Sequence, residues 1–150
     1  RSKRPPLDRV NAMLSFLYTI FTREYAAALE SVGLDSYMGF YHSLRPGRES
    51  LACDLVEEGR CIVERFVLTL INLKIIKPED FDVQLSGAVF LNDDGRKKVL
   101  SKWQEKKRTD MIHPYLKEKI PIGLLPYVQS MLLAKFVRGE IDEYPCYLAK

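Results

Sequence analysis

Residues 8–33 read DRVNAMLSFLYTIFTREYAAALESVG and contain the first long regular pattern of the chain. Apolar side chains recur in this stretch at three- and four-residue steps, the spacing of one face of an α-helix. The residues in this pattern are Val10, Met13, Leu14, Leu17, Phe21, Ala28, Leu29 and Val32. Asp8 can accept hydrogen bonds from the first free amides, and Gly33 supplies a left-handed residue at the end. The pattern predicts a helix over residues 8–32.

A second long helix is predicted further along the chain. Residues 33–48 are interrupted by glycine and proline too often for a helix and indicate a structured loop. Ser50 is a suitable N-cap for a helix that continues until just before Pro78. Gly59 is the weak point of this helix, because glycine in a helix interior costs about 1 kcal/mol relative to alanine.

The second half of the chain contains shorter patterns. Two short apolar runs, residues 83–85 and 89–91, predict a small β-hairpin. Asn92 or Asp93 then caps a basic helix over residues 92–109, and an irregular connection begins at His113. Residues 122–137 form a last apolar helix that Gly139 closes. The fold class is therefore mainly α, with a single helical domain over residues 1–150.

Composition excludes several classes of protein. The chain has 150 residues, 23 basic and 20 acidic, and 47% of them are apolar, which is typical of a folded globular domain. Charges interrupt every apolar run before the ~18 residues that a membrane span needs, so no membrane partner is expected. Cys53, Cys61 and Cys146 lack zinc or disulfide spacing and indicate reduced thiols packed as small hydrophobic groups in a cytoplasmic protein.

Positive charge is concentrated between Arg96 and Arg108, where seven basic residues face a single acidic one. Lys98, Lys102 and Lys106 form a stripe with a spacing of four residues, beside apolar positions that can pack inward. This stripe, with Arg45 and Arg48 in the loop, predicts contacts with the phosphate backbone of DNA. The alternative is a solvated helix face with no partner.

One histidine has neighbours suited to metal chemistry. Asp54 and Glu57 follow His42 by 12 and 15 positions, and their own spacing of three places both carboxylates on one helical face. An imidazole and two carboxylates suit manganese or magnesium. The alternative is a hydrogen-bonded loop histidine with solvent-facing acids. His113 is interpreted as a helix-end residue stabilised by the helix dipole, outside the site. Motifs for nucleotide hydrolysis and serine chemistry are missing from the sequence.

Several blocks of the sequence resemble a known family over essentially the whole chain. They are residues 4–18 (RPPLDRVNAMLSFLY), 28–35 (ALESVGLD), 39–42 (GFYH), 45–48 (RPGR) and 50–58 (SLACDLVEE). In order and spacing they resemble the C-terminal helical domain of the CRISPR-associated spacer-acquisition integrase, also called the CRISPR-associated endonuclease. Residues 103–107 (WQEKK) and 123–126 (GLLP) resemble the subtype I-C branch of this family.

The resemblance implies a metal-dependent endonuclease and integrase that inserts short DNA fragments into a CRISPR array. His42 and Glu57 match the family's metal ligands, and Asp54 is a nearby acid of the same pocket. The cofactor implied is Mn²⁺ or Mg²⁺. The implied partners are double-stranded, branched or array DNA, a second copy of the full-length protein and a small companion subunit, in the cytoplasm of a prokaryote.

The family also has a glutamate ligand and a β-rich dimerisation domain upstream of the block that opens at Arg4. The chain is therefore expected to be the catalytic C-terminal part of a longer protein and to be nearly inactive as a nuclease alone. Gly59 departs from the bulkier apolar residue expected there. The rival hypothesis is a noncatalytic basic helical module that binds nucleic acid or a protein partner.

Overall fold

The computed structural model describes residues 6–37 and 50–147. These residues form five α-helices, two short antiparallel hairpins and two 3-10 turns. The helices are α1 (Arg9–Ser31), α2 (Ser50–Glu58), α3 (Arg60–Asn72), α4 (Asp93–Lys107) and α5 (Leu125–Val137). The strands are β1 (Phe81–Val83), β2 (Val89–Leu91), β3 (Asp110–Ile112) and β4 (Lys119–Pro121). The mainly α prediction is confirmed.

Helix α1 is the central element of the fold and packs against α2, α3, α5 and β2. It begins and ends as its sequence predicts. The Asp8 side chain accepts a hydrogen bond from the amide of Asn11 at 2.8 Å, and Gly33 follows the helix with φ of +82°. Its inward residues Leu17, Phe21, Tyr25 and Leu29 are at most 1% exposed. The period of the sequence therefore determines which face of α1 is buried.

The predicted second helix is two helices, because the chain breaks at Gly59 between α2 and α3. A side chain at this position has no room. A Cβ atom on Gly59 would lie 2.8 Å from Cε2 of Phe21 in α1. The departure from a bulkier apolar residue at position 59 therefore has a local reason in this chain, since the close approach of the Phe21 ring favours glycine there.

The first hairpin is present, but its first strand is displaced from the predicted position. β1 covers Phe81–Val83 instead of residues 83–85, and Phe81 pairs with Leu91. A 3-10 turn at Pro78–Asp80 precedes it, and the Asp80 carboxylate accepts a hydrogen bond from the amide of Lys77 at 2.8 Å. The turn therefore sets where the strand starts.

The connection after α4 is a second hairpin, β3–β4, where the sequence predicted irregular structure. Three-residue strands are too short for an alternating pattern to be visible in sequence. A 3-10 turn at Ile122–Leu124 follows, so the last helix begins at Leu125 instead of residue 122. No helix among the described residues has both the length and the apolar character needed to cross a bilayer.

The three cysteines are free, as predicted. Their predicted packing is wrong in two cases, because Cys61 and Cys146 are exposed and Cys53 alone is half-buried. Cys61 lies on the outer face of α3, and Cys146 lies in the chain after α5. The thiols therefore contribute little to the core.

Candidate functional site

Helix α2 carries the two acidic residues predicted to bind metal. Asp54 and Glu57 lie three positions apart on this helix and share a face, as predicted. Their environments differ, because Asp54 is 1% exposed whereas the Glu57 side chain is 40% exposed. The face therefore has a buried carboxylate at one end and an accessible one at the other. Both carboxylates have interaction partners.

Arg60, the first residue of α3, contacts Glu57 with two nitrogens. Its Nη2 lies 2.9 Å and 2.7 Å from the two carboxylate oxygens, and its Nε donates to Oε2 at 3.1 Å. The guanidinium carbon also lies 5.5 Å from the ring centroid of Tyr18. Burial raises the pKa of Tyr18 to about 12, with the Arg60 charge opposing this shift. The Glu57 carboxylate is therefore paired with the Arg60 guanidinium.

Asp54 and Glu57 supply the oxygen atoms that this face of α2 offers to a divalent ion. Carboxylate oxygens are the hard ligands that Mg²⁺ and Mn²⁺ prefer, and the position taken by Arg60 shows that Glu57 attracts positive charge. Within residues 6–37 and 50–147, no group of three or more histidine, cysteine or acidic side chains gathers around one point. Two carboxylates alone are too few for a metal site, but their oxygen atoms are of the type that Mg²⁺ and Mn²⁺ take as part of a larger ligand set.

The remaining predicted site residues of the loop are His42, Arg45 and Arg48. All three lie outside the described residues. Convergence of the His42 imidazole with the carboxylates of α2 stays a prediction. The same holds for the DNA contacts of the two arginines.

The basic helix α4 is less uniform than its sequence suggests. The Lys98 ammonium lies 3.0 Å from Oδ1 of Asp80, which is buried. Lys102 pairs with the exposed Glu105 on the same helix at 3.2 Å. Exposed pairs of this kind contribute at most about 1 kcal/mol, so Lys102 can exchange its partner for a phosphate, whereas Lys98 is committed to the fold.

A buried polar cluster lies beside the acidic face, and the sequence analysis missed it. The carboxylate of Glu58, next to Glu57, accepts hydrogen bonds from the Tyr144 hydroxyl at 2.8 Å and the Tyr147 amide at 2.8 Å. Gln129 of α5 donates from Nε2 to the same carboxylate at 3.2 Å. Burial raises the pKa of the Glu58 carboxyl, and these bonds oppose the shift.

His113 belongs to this cluster, and its interpretation as a helix-end residue is wrong. It follows β3, is 1% exposed and lies with Nε2 at 2.6 Å from Oε1 of Gln129. Its Nδ1 accepts the amides of Tyr115 and Leu116, both at 3.2 Å, which leaves the proton on Nε2. A polar Gln129 in the apolar run of α5 was the signal in the sequence that could have revealed the cluster.

Comparison with known proteins gives the family. The family model described as CRISPR associated protein Cas1 matches residues 1–105. The chain belongs to this family. A relative from Rhodospirillum rubrum, named CRISPR-associated endonuclease Cas1 2, is 52% identical over 151 residues, which is 100% of this chain and 44% of the relative. The chain thus spans under half the length of this Cas1 protein.

Two solved structures agree with the family. A casposase bound to integration product superposes with a TM-score of 0.88 at 25% identity, over 98% of this chain and 42% of the casposase. A partial Cas6-RT-Cas1–Cas2 complex gives a TM-score of 0.79 at 25% identity, over 100% of this chain and 44% of the matched chain. Membership of the Cas1 family does not favour the rival hypothesis of a noncatalytic basic helical module.

Proposed function

We propose that this chain is the catalytic helical domain of a DNA endonuclease and integrase of CRISPR adaptation. The observation that carries the proposal is the acidic face of α2, where Asp54 and Glu57 lie one turn apart and the Glu57 side chain is accessible. Relatives named CRISPR-associated endonucleases support nuclease chemistry, and the similarity to a casposase bound to integration product supports integration. The substrate proposed is double-stranded, branched or array DNA.

The proposed metal ligands are His42 and Glu57, with Asp54 as an auxiliary acid. When bound, Mn²⁺ or Mg²⁺ supplies stabilisation of the charge that develops on the scissile phosphate during attack by a DNA 3′-hydroxyl or by water. Arg60 orients the Glu57 carboxylate, because its guanidinium donates hydrogen bonds to both carboxylate oxygens. With a metal ion bound to Glu57, the Arg60 guanidinium would be able to contact a DNA phosphate instead.

The proposed DNA contacts lie on the loop and the basic helix. Arg45, Arg48, Lys102 and Lys106 would hold the phosphate backbone without reading its sequence. Lys98 contributes less than the other two lysines of its stripe, because its ammonium neutralises the buried Asp80. The proposed protein partners are a second copy of the full-length protein and a small companion subunit. The Cas1–Cas2 complex among the structural relatives supports the companion subunit.

The proposal is tested by strand transfer in the full-length protein that contains this chain. A DNA fragment with a free 3′-hydroxyl is incubated with an array-bearing plasmid in Mn²⁺ or Mg²⁺, and joined product is measured. His42→Ala and Glu57→Ala should each lower the rate at least 100-fold, and Asp54→Asn should lower it less. Glu30→Gln, an exposed acid on α1, is the matched control and should leave the rate unchanged. Full activity of His42→Ala and Glu57→Ala would contradict the proposal.

A further inference from the structure

We propose that Glu58, Gln129 and His113 are positioning residues, which together set the direction of the neighbouring Glu57 carboxylate toward its metal. This inference rests on the proposed function, because it needs Glu57 as a ligand. It concerns residues that neither chemistry at phosphate nor contact with DNA explains.

The Glu58 carboxylate is hydrogen-bonded by uncharged donors. Glu58 is half-buried, and the donors to its carboxylate among the described residues are neutral. They are the Tyr147 backbone amide, the Gln129 side-chain amide and the Tyr144 hydroxyl. Burying a carboxylate without a cation is costly, and an apolar residue of similar size would serve stability better. An ionisable group with such partners indicates a need for orientation.

Hydrogen bonds fix the orientation of the Gln129 amide and, through it, of the other groups of the cluster. Gln129 Nε2 lies within 3.2 Å of Glu58 Oε1 and of the Pro145 carbonyl oxygen, and 2.7 Å from the Tyr144 hydroxyl oxygen. Its Oε1 accepts the Nε2 proton of His113. A flipped amide would place oxygen against two acceptors, so one arrangement alone satisfies all the groups.

The joint between α2 and α3 links Glu58 to the direction of Glu57. Glu58 is the last residue of α2, and successive helical residues are rotated by about 100°. Its inward anchor therefore sets the outward direction of Glu57. On the other side of the same joint, Gly59 lies against the Phe21 ring so closely that a Cβ would be 2.8 Å from Cε2. The segment that carries Glu57 is held between α1 on one side and the cluster with residues 144–147 on the other.

Groups that hydrogen-bond a metal ligand typically change metal affinity by about 10–100-fold when they are removed. Glu58 acts one step further away, through the backbone of α2, so we expect an effect at the lower end of this range. The test measures Mn²⁺ affinity of the full-length protein by calorimetry. Glu58→Ala should weaken binding about 10-fold or more. Glu58→Gln should bind Mn²⁺ as tightly as the wild type, because its oxygen still accepts from Tyr147 and its amide can donate to the Tyr144 hydroxyl.

Two further variants separate positioning from stability. Val99→Ala, in the fully buried core of α4, should lower the melting temperature while Mn²⁺ affinity is unchanged. His113→Ala should weaken Mn²⁺ binding severalfold, because it releases the amide of Gln129. If Glu58→Ala does not fold, Tyr144→Phe removes a single hydroxyl from the carboxylate and should weaken binding about threefold.

The outcomes distinguish the two proposals. Mn²⁺ affinity that is unchanged in folded Glu58→Ala, or in Tyr144→Phe and His113→Ala, overturns the positioning role. Equal weakening by Glu58→Gln and Glu58→Ala also overturns it, since charge and not geometry would then matter. If Glu57→Ala binds Mn²⁺ as tightly as the wild type, the proposed function itself fails.

Discussion

The indole nitrogen of Trp103 donates a hydrogen bond to the Glu24 carboxylate, with Nε1 and Oε1 2.9 Å apart, and so joins α4 to α1. The Lys107 ammonium lies 2.9 Å from the other carboxylate oxygen. The Trp103 ring is fully buried and packs against Phe21 and Phe66, with centroid distances of 5.5 Å and 5.2 Å. One carboxylate thus fixes the basic helix against the central helix.

Glu24→Ala should lower the free energy of unfolding by about 1–3 kcal/mol, because it leaves the buried indole N–H without its acceptor. Glu24→Gln keeps an acceptor for Trp103 and should cost less. Urea unfolding of the two variants and the wild type measures the difference. Equal stability of the alanine variant and the wild type would show that the bond contributes nothing.

Gly59→Ala should destabilise the protein by about 1–3 kcal/mol, the typical cost of overpacking, because the new methyl would lie against the Phe21 ring. Helix propensity does not offset this cost, since Gly59 is the N-cap of α3, where glycine is preferred to alanine. A double-mutant cycle with Phe21→Leu measures the contact, since the smaller ring-free side chain leaves room for the new methyl. Additive effects in the cycle would exclude the contact as the cause.

Asp80→Asn should lower stability at pH 7 but not at acid pH. Burial alone would raise the pKa of Asp80, but the Lys77 amide and the Lys98 ammonium outweigh it and lower the pKa below 3.8. A lowered pKa in the folded state contributes stability above the unfolded value and loses it as the pH falls through the folded value.

Hydrogen bonds to charged groups contribute about 1.5–3 kcal/mol, which sets the difference expected between wild type and Asp80→Asn at pH 7. Guanidinium unfolding at pH 7, 5, 4 and 3 should show this difference shrinking below about pH 4. A difference that stays constant from pH 7 to pH 3 would contradict an ionised Asp80 as its source.

Lys102→Gln with Lys106→Gln should weaken DNA binding by the full-length protein and flatten its salt dependence. Each lost phosphate contact reduces the slope of log K against log salt by about 0.9. Lys98→Gln should alter the slope less and lower stability instead, because Lys98 pairs with Asp80. Fluorescence anisotropy across a salt series measures both. A larger loss of slope in Lys98→Gln than in the double variant would reverse this assignment.

Local patterns predicted most of the helical fold. The boundaries of α1 follow from Asp8, Gly33 and a period that repeats for six turns, all of which act within a few residues of each other. Asn92 was a candidate cap of α4, and its side chain accepts a hydrogen bond from the amide of Gly95 at 2.9 Å. The second hairpin was missed because its strands have three residues each.

The candidate site could be predicted in part. The spacing of Asp54 and Glu57 already places them on one face, because helical geometry needs no tertiary information. Arg60 as the partner of Glu57 was within reach of the same rule but was not singled out. The ligand role of His42 and the assignment to subtype I-C stay predictions.

The sequence alone determined the mainly α class, the bounds of α1, the acidic pair on α2 and the membership of a family, since each depends on residue type and short-range spacing. Tertiary structure alone decided which charged groups are committed to the fold. Lys98 meets Asp80 from 18 residues away, and Glu58 meets Tyr144 from 86. The free energy of such a pair depends on burial and on partners brought together by chain packing, and no local pattern encodes either.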